Sequence, residues 1–342
     1  MTERNKGMTA SLMRRLSALL LALVVLVGAA ACSDYPGDLS GGSGSGGSGA
    51  AGEGGLRKVR ASDTAGMPSA FLKYGVQRGF FRAQGLDVEV QTSAGGAAVI
   101  PALINGGLDV AGSNVVSAVT AMNRGLPLAM VGSGTSTSTD PGQDFSGILV
   151  PADSPIRSAR DLAGKRIAVN TLRNINEIVI DASTRKVGGS LSGAKLVEMG
   201  FPDMGPAVER GDVDAALMIE PFLSSGKAAG MREIARPYTD TRPGLQIGTY
   251  LMAMKKARED RELVTAFQAG VRRTAEEIER DPAAFRAALP KIAGFSPKVA
   301  SGIHLPSWKG TTDRASIQLI AGSMRRLGLT DKPFDYEKHV LK

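Results

Sequence analysis

The chain has 342 residues, a net charge of +8, 43% hydrophobic residues and one cysteine. That length supplies core for one large or two medium domains, and a single cysteine excludes an internal disulfide framework. The positive excess has no basic block and no interleaved aromatic run behind it, which sets nucleic-acid binding aside.

In chain order, the first signal is Arg14 and Arg15 ahead of the apolar run Leu16 to Val27, followed by GAAAC. A basic stretch, a short apolar stretch and small residues make a secretory signal, expected over residues 1–31. The run is shorter than the roughly 20 residues a membrane-spanning helix needs. Cys32 follows directly and is placed like the lipidated cysteine of a bacterial lipoprotein, although Ala29 stands where such signals usually carry Leu. Residues 32–55 then form a Gly/Ser tether, Leu39 to Gly55 being LSGGSGSGGSGAAGEGG. A coil of that composition reaches roughly 20–25 Å. The expectation is an extracytoplasmic domain tied to the membrane by lipid.

From Arg57 strands and helices alternate. RKVRAS predicts a strand, Pro68 to Arg78 a helix, and LDVEVQTS a second strand. SAGG opens a helix that ends at Gly106 and Gly107; LDVAGS is a strand, Val115 to Arg124 a helix, and LAMVGS a strand. The plan then repeats: a strand in DLAGKRIAVN, a helix from Asn174 to Val187, a strand in AKLVEMG, a short helix in FPDMGPAVERG, and a strand in VDAALMI. Such alternation points to parallel sheets. Asp109 and Asp214 sit at equivalent turns, where a short carboxylate bonds nearby backbone amides. Beyond Met254 the pattern is helical. Leu263, Phe267, Val271 and Ile278 mark one buried face, and Asp281-Pro282 and Ser296-Pro297 open further helices. Trp308, the single tryptophan, falls in this packing region.

DLAGKRIAVN, VDAALMIEPF and GGLDVAGSN, in that spacing and behind a lipoprotein-like start, resemble the periplasmic-type substrate-binding proteins of ABC importers. Within these, the chain looks most like the nitrate, sulfonate, taurine and thiamine-pyrimidine-precursor group, and the likeness runs from Arg57 to about Leu329. The resemblance implies a two-lobed α/β fold, each lobe a mostly parallel sheet flanked by helices, with two crossover hinge segments. The crossings are expected near Phe145 to Pro151 and Leu245 to Met254, giving lobe I as 56–148 with 250–342 and lobe II as 149–249. It also implies a monomer that delivers a small polar or anionic solute (a sulfonate, taurine, nitrate or a heterocyclic precursor) to a permease and its ATPase. No cofactor, metal or catalytic residue is expected.

In open parallel sheets ligands sit beyond the carboxyl ends of the strands, where helix N-termini favour anions and acceptor oxygens. The candidates there are Thr64, Gly66 and Met67, with Asp63 beside them; Ser93, Gly95 and Gly96; Ser113 and Asn114; Thr135; Asn170, Thr171, Arg173 and Asn174; and Glu220. Ser93, Ser113 and Asn170 read equally as helix caps. Asp203 reads as a turn or cap residue. Arg173 either clamps a sulfonate or carboxylate with two hydrogen bonds, or pairs with Glu177 along its helix. The polar loop Ser133 to Asp144 is either a lid or a connection.

Two other classes remain. Relatives that make a thiamine pyrimidine use histidine and a cysteine-rich, iron-binding segment. Here the only histidines are His304 and His339, and no cysteine follows Cys32. An accessory lipoprotein without a transport partner is the third possibility.

Overall fold

The computed structural model describes residues 55–341. The expected signal segment 1–31, Cys32 and the expected tether up to Gly54 lie outside the described residues.

Two five-stranded sheets form the cores of two lobes. The first contains β1 (Arg57–Thr64), β2 (Leu86–Ser93), β3 (Val110–Asn114) and β4 (Leu128–Ser133). After β5 (Thr135–Ser136) the chain crosses to the second sheet. There it lays down β6 (Ser146–Val150), β7 (Arg166–Val169), β8 (Lys195–Glu198), β9 (Ala215–Ile219) and β10 (Arg232–Ala235). It then returns as β11 (Gly248–Ala253) to the first sheet, and β12 (Ser307–Trp308) pairs with β5.

The strand orders are β2-β1-β3-β11-β4 and β10-β6-β9-β7-β8. Read from opposite edges, the two sheets match place for place. In each, a single strand runs against the rest: β11 is antiparallel to β3 and β4, and β6 to β9 and β10. In both cases it is the strand laid down directly after a crossing. The sheets are therefore mostly parallel, as the alternation of elements predicts.

The lobe boundaries shift from those expected. Ser146–Val150 lies wholly in the second sheet, so a boundary between 148 and 149 cuts a strand. Gly248 and Thr249 belong to the first sheet, so a boundary between 249 and 250 cuts another. Phe145 to Pro151 and Leu245 to Met254 are mostly sheet; the first crossing precedes Phe145, and the second ends at Ile247, so only the start of the expected Leu245 to Met254 segment lies in it. These crossings run side by side as a hydrogen-bonded ribbon: Thr137 N donates to Leu245 O at 2.9 Å, Gly244 N to Ser138 O at 2.9 Å and Ile247 N to Thr135 O at 2.9 Å. The polar stretch Ser133 to Asp144 is thus a connection and not a lid. Its Thr135, Ser136 and Thr137 are buried within the ribbon.

The repeated Gly–Asp turn locks the sheet ends opposite the cleft. Asp109 accepts from Arg60 N at 2.8 Å, returns its own amide to Arg60 O at 2.9 Å, and the Arg60 guanidinium reaches Gly106 O at 2.7 Å. In the second lobe Asp214 accepts from Arg166 N at 2.7 Å, its amide bonds Arg166 O at 2.8 Å, and the Arg166 guanidinium reaches Gly211 O at 2.8 Å. The expected role of these aspartates is to serve their own turns. Instead each ties its turn to a neighbouring strand far back in the sequence. Gly106 and Gly211 have φ of 75° and 73°, which favours glycine.

Helix Met67–Gln77 and the long helix Arg261–Arg280 cover one face of the first sheet. The expected face of the latter is buried, with Leu263, Phe267, Val271 and Ile278 each under a tenth exposed. Asp281 and Ser296 cap their helices by accepting from Ala284 N at 2.9 Å and Val299 N at 3.2 Å. Trp308 packs inside this layer, stacked on Phe71 with centroids 4.8 Å apart and edge-on to Phe285 at 5.8 Å. Among the described residues no helix is long and apolar enough to cross a membrane.

Candidate functional site

The carboxyl ends of the parallel strands face one another across a cavity of about 50 Å³. That is room for a few water molecules and well under the roughly 300–1,000 Å³ of ordinary ligand pockets. The lobes are thus closely apposed, and a solute of organic size would hold them somewhat further apart than they stand here.

From the first lobe the wall carries Asp63, Thr64, Pro68, Ser113, Asn114, Gly134, Thr135, Ile247, Gly248 and Thr249. From the second it carries Phe145, Asn170, Ile175, Phe201, Ile219 and Tyr238. Of the candidates above, Asp63, Thr64, Ser113, Asn114, Thr135 and Asn170 come together here. Phe145, Ile247, Gly248 and Thr249 were missed because they stand at the amino ends of β6 and β11. A reversed strand presents its start, not its end, to the cleft. Phe201 and Tyr238 were missed as aromatics of the second lobe with no motif around them.

Four helices begin at this cavity: Met67–Gln77, Val115–Asn123, Ile175–Lys186 and Phe201–Glu209. Their first amides lack intrahelical partners, and their dipoles favour negative charge. Asn114 and Asn174 cap two of them, accepting from Ser117 N at 2.9 Å and Ile175 N at 2.7 Å. The other two start at Gly66 and Gly200 without a side-chain cap. Asp203 lies exposed in the first turn of the last helix, whereas Met204 is core.

Asp63 is the one ionisable carboxyl on the wall, and no Lys, Arg or His lines the cavity. It is 6% exposed. Its Oδ1 accepts from Thr64 N at 2.7 Å and the buried Tyr250 phenol hydrogen-bonds to it. Burial pushes its pKa up to about 7 against the pull of those two bonds. Gly112 makes room for it: a Cβ there would stand 2.1 Å from the carboxyl carbon.

The remaining candidates work elsewhere. Gly66 and Gly95 lie where the lobes touch. A Cβ on Gly66 would approach Glu220 O to 2.8 Å, and one on Gly95 would approach Thr171 Oγ1 to 2.9 Å. Gly96 packs on its own lobe, with Asn114 N 2.6 Å from such a Cβ. Asn174 Nδ2 donates across the interface to Ser117 Oγ at 2.8 Å, and Asn170 Nδ2 to Ala94 O at 3.3 Å. Met67 is core, and the Ser93 hydroxyl is buried without a hydrogen-bond partner. Neither Thr171 nor Arg173 lines the cavity; both border a separate groove. Arg173, at φ 50°, directs its guanidinium to Gly328 O at 2.8 Å. Of the two roles expected of it, the clamp is not in place, since the guanidinium is bonded to Gly328 O outside the cavity. Glu220 is fully buried, accepting from Ser224 Oγ at 2.8 Å and His304 N at 3.3 Å, and burial raises its pKa.

His304 Nδ1 lies 2.8 Å from Gln143 Oε1, and His339 Nδ1 lies 3.1 Å from Leu128 O. Neither borders the cavity. Among the described residues no group of three or more His, Cys, Asp or Glu side chains could hold a metal ion.

Two pseudo-equivalent lobes, a paired hinge ribbon and a cavity ringed by helix starts define the two-lobed periplasmic-binding-protein fold. A family profile described as NMT1/THI5 like matches residues 69–285, and the chain belongs to that family. Among solved structures, the alkanesulfonate-binding protein SsuA from Xanthomonas axonopodis pv. citri, bound to MOPS, is similar at a TM-score of 0.69. It is 20% identical, over 83% of this chain and 98% of that one. The ligand-binding component of an ABC-type import system from Staphylococcus aureus, with zinc bound, is similar at 0.69 and 14% identity, over 83% and 96%. The Candida albicans CA3427 gene product, described as having the generic periplasmic binding protein fold, is similar at 0.66 and 13%, over 84% and 97%. No curated protein sequence matches the chain.

Proposed function

We propose that this protein is the extracytoplasmic solute-binding component of an ABC importer, binding a small polar solute between its lobes and releasing it unchanged to a permease and its ATPase. The observation that carries this is the cavity at the joint of two lobes that a two-stranded ribbon connects. The wall offers hydroxyls, amides, helix starts and aromatic faces, a set that orients a small solute without large desolvation cost. The similarity to sulfonate-binding and import-system proteins supports a sulfonate or related solute. An anionic group would be held by the helix starts that border the cavity instead of by Arg173.

Closure by hinge motion at the ribbon Thr135–Ser138 with Arg242–Ile247 is the expected response to ligand. A saturating sulfonate at about 100 times its dissociation constant adds roughly 2.7 kcal/mol of stability. Small-angle scattering then reports a more compact particle than the open, unliganded one, with no product formed. A bound ligand that leaves the scattering curve unchanged removes the hinge, and product accumulating in proportion to protein removes the binding-only reading.

The anchor belongs to the same proposal. Lipid on Cys32 followed by a Gly/Ser tether keeps the domain within reach of a membrane-embedded permease. Cys32→Ser is expected to move the protein from the membrane pellet to the soluble fraction. Retention in the pellet places the anchor elsewhere.

A further inference from the structure

We propose that Asp63 selects a solute carrying a donor nitrogen, an ammonium or ring-amino group, which its carboxylate accepts inside the closed cleft. This rests on the reading of the cleft as a solute site and narrows the class of solute. The expected ligand is therefore zwitterionic or amino-bearing, with its anionic or acceptor end at the helix starts.

Three observations lead there. First, Asp63 borders the cavity and is its only carboxyl, and no cation among the lining residues balances it. Second, none of the ion pairs among the described residues includes Asp63, although Asp109, Asp214 and Asp260 all have arginine partners. Third, space is made for the carboxyl: Gly112 leaves open the volume its oxygens fill, and a Cβ there would meet them at 2.2 and 2.3 Å. A carboxylate has about four acceptor sites. The Thr64 amide and the Tyr250 phenol use two of them. An unbalanced carboxylate in so buried a place is costly alone and becomes favourable when a ligand cation completes it.

The elements packed against Asp63 present no charge. β1 offers the Thr64 amide, β3 offers Gly112, and β11 offers Tyr250, whose own pKa burial raises. The carboxyl, at about 7, therefore titrates around neutrality. A donor ligand favours the ionised form, so its affinity rises with pH from about 6 to about 8 and binding releases protons. A solute that needs a donor from Asp63 favours the protonated form, and both signs reverse.

The test uses matched probes on the full protein: taurine against ethanesulfonate, and aminopyrimidine against pyrimidine. Thermal shift and titration calorimetry in buffers of different ionisation enthalpy give affinity and proton release. The expected result is that an amino member binds at least about tenfold more tightly than its partner and releases protons near neutral pH. Asp63→Asn then erases that preference, the amino member losing affinity relative to its amino-free partner, and removes the proton release. If the variant does not fold, the wild type's discrimination within the two probe pairs decides the matter. Equal binding of taurine and ethanesulfonate keeps the sulfonate reading and overturns the role of Asp63. Inert sulfonates with a preference for aminopyrimidine do the reverse. Proton uptake on binding, or no binding by either amino member, overturns the role of Asp63.

Discussion

Replacing Trp308 by alanine is expected to cost about 3–5 kcal/mol, the range for emptying a buried aromatic site. Trp308 is 8% exposed, stacked on Phe71 and edge-on to Phe285. The loss should reach beyond the hole itself. Trp308 forms β12, whose partner β5 leads directly into the first crossing. Urea unfolding followed by circular dichroism measures the effect, since the variant has lost the chain's only tryptophan. A midpoint within the error of wild type would show that the aromatic layer repacks and that Trp308 is dispensable to it.

Gly66→Ala is expected to act twice. At φ 95° and ψ −142° the backbone lies where side-chain-bearing residues are strained by about 1–3 kcal/mol. That part appears as lost stability without ligand. The second part appears only when the lobes meet, because the new Cβ would stand 2.8 Å from the Glu220 carbonyl oxygen. Backbone cannot swing aside as a side-chain tip can. Closure then costs at least about 1.4 kcal/mol more, so affinity falls tenfold or further. Gly95→Ala is the control. Its Cβ would meet Thr171 Oγ1 at 2.9 Å and Asn170 Nδ2 at 3.0 Å, both side-chain tips and not backbone, and its φ is not left-handed. It should lose much less. Equal affinities for Gly66→Ala and wild type would mean that the bound state does not bring Gly66 to Glu220.

The parts legible in the sequence are those fixed by local pattern. The alternation from Arg57 to Ile219 and the buried stripe from Leu263 to Ile278 follow from periodicity, and the caps at Asp281 and Ser296 from short-range chemistry. The repeated Gly–Asp turn is legible as a repeat. Its meaning is not, since the bond from Asp214 to Arg166 spans 48 residues. Strand direction is likewise absent from an apolar run. Ser146–Val150 reads the same whether it runs with its neighbours or against them, so the wall residues at its start and at the start of β11 escape detection. For Arg173 the position beside the helix start is readable, but side-chain direction is set by a left-handed backbone that the residues TLRN do not announce. Asp63 is visible as a strand-end carboxyl. That no described Lys, Arg or His pairs with it is a tertiary fact.

The place of β11 in the first sheet sets an order of completion for a chain delivered amino end first. Every strand of the second sheet lies between Ser146 and Ala235, one uninterrupted stretch. The first sheet starts earlier, yet its slot between β3 and β4 stays open until Gly248–Ala253 is supplied. Until then β3 presents a bare edge and β4 has no partner in the sheet, the feature by which nascent chains pair wrongly. The lobe that leads in synthesis is therefore the last to be sealed, and the second lobe can be whole while the first still awaits its middle strand.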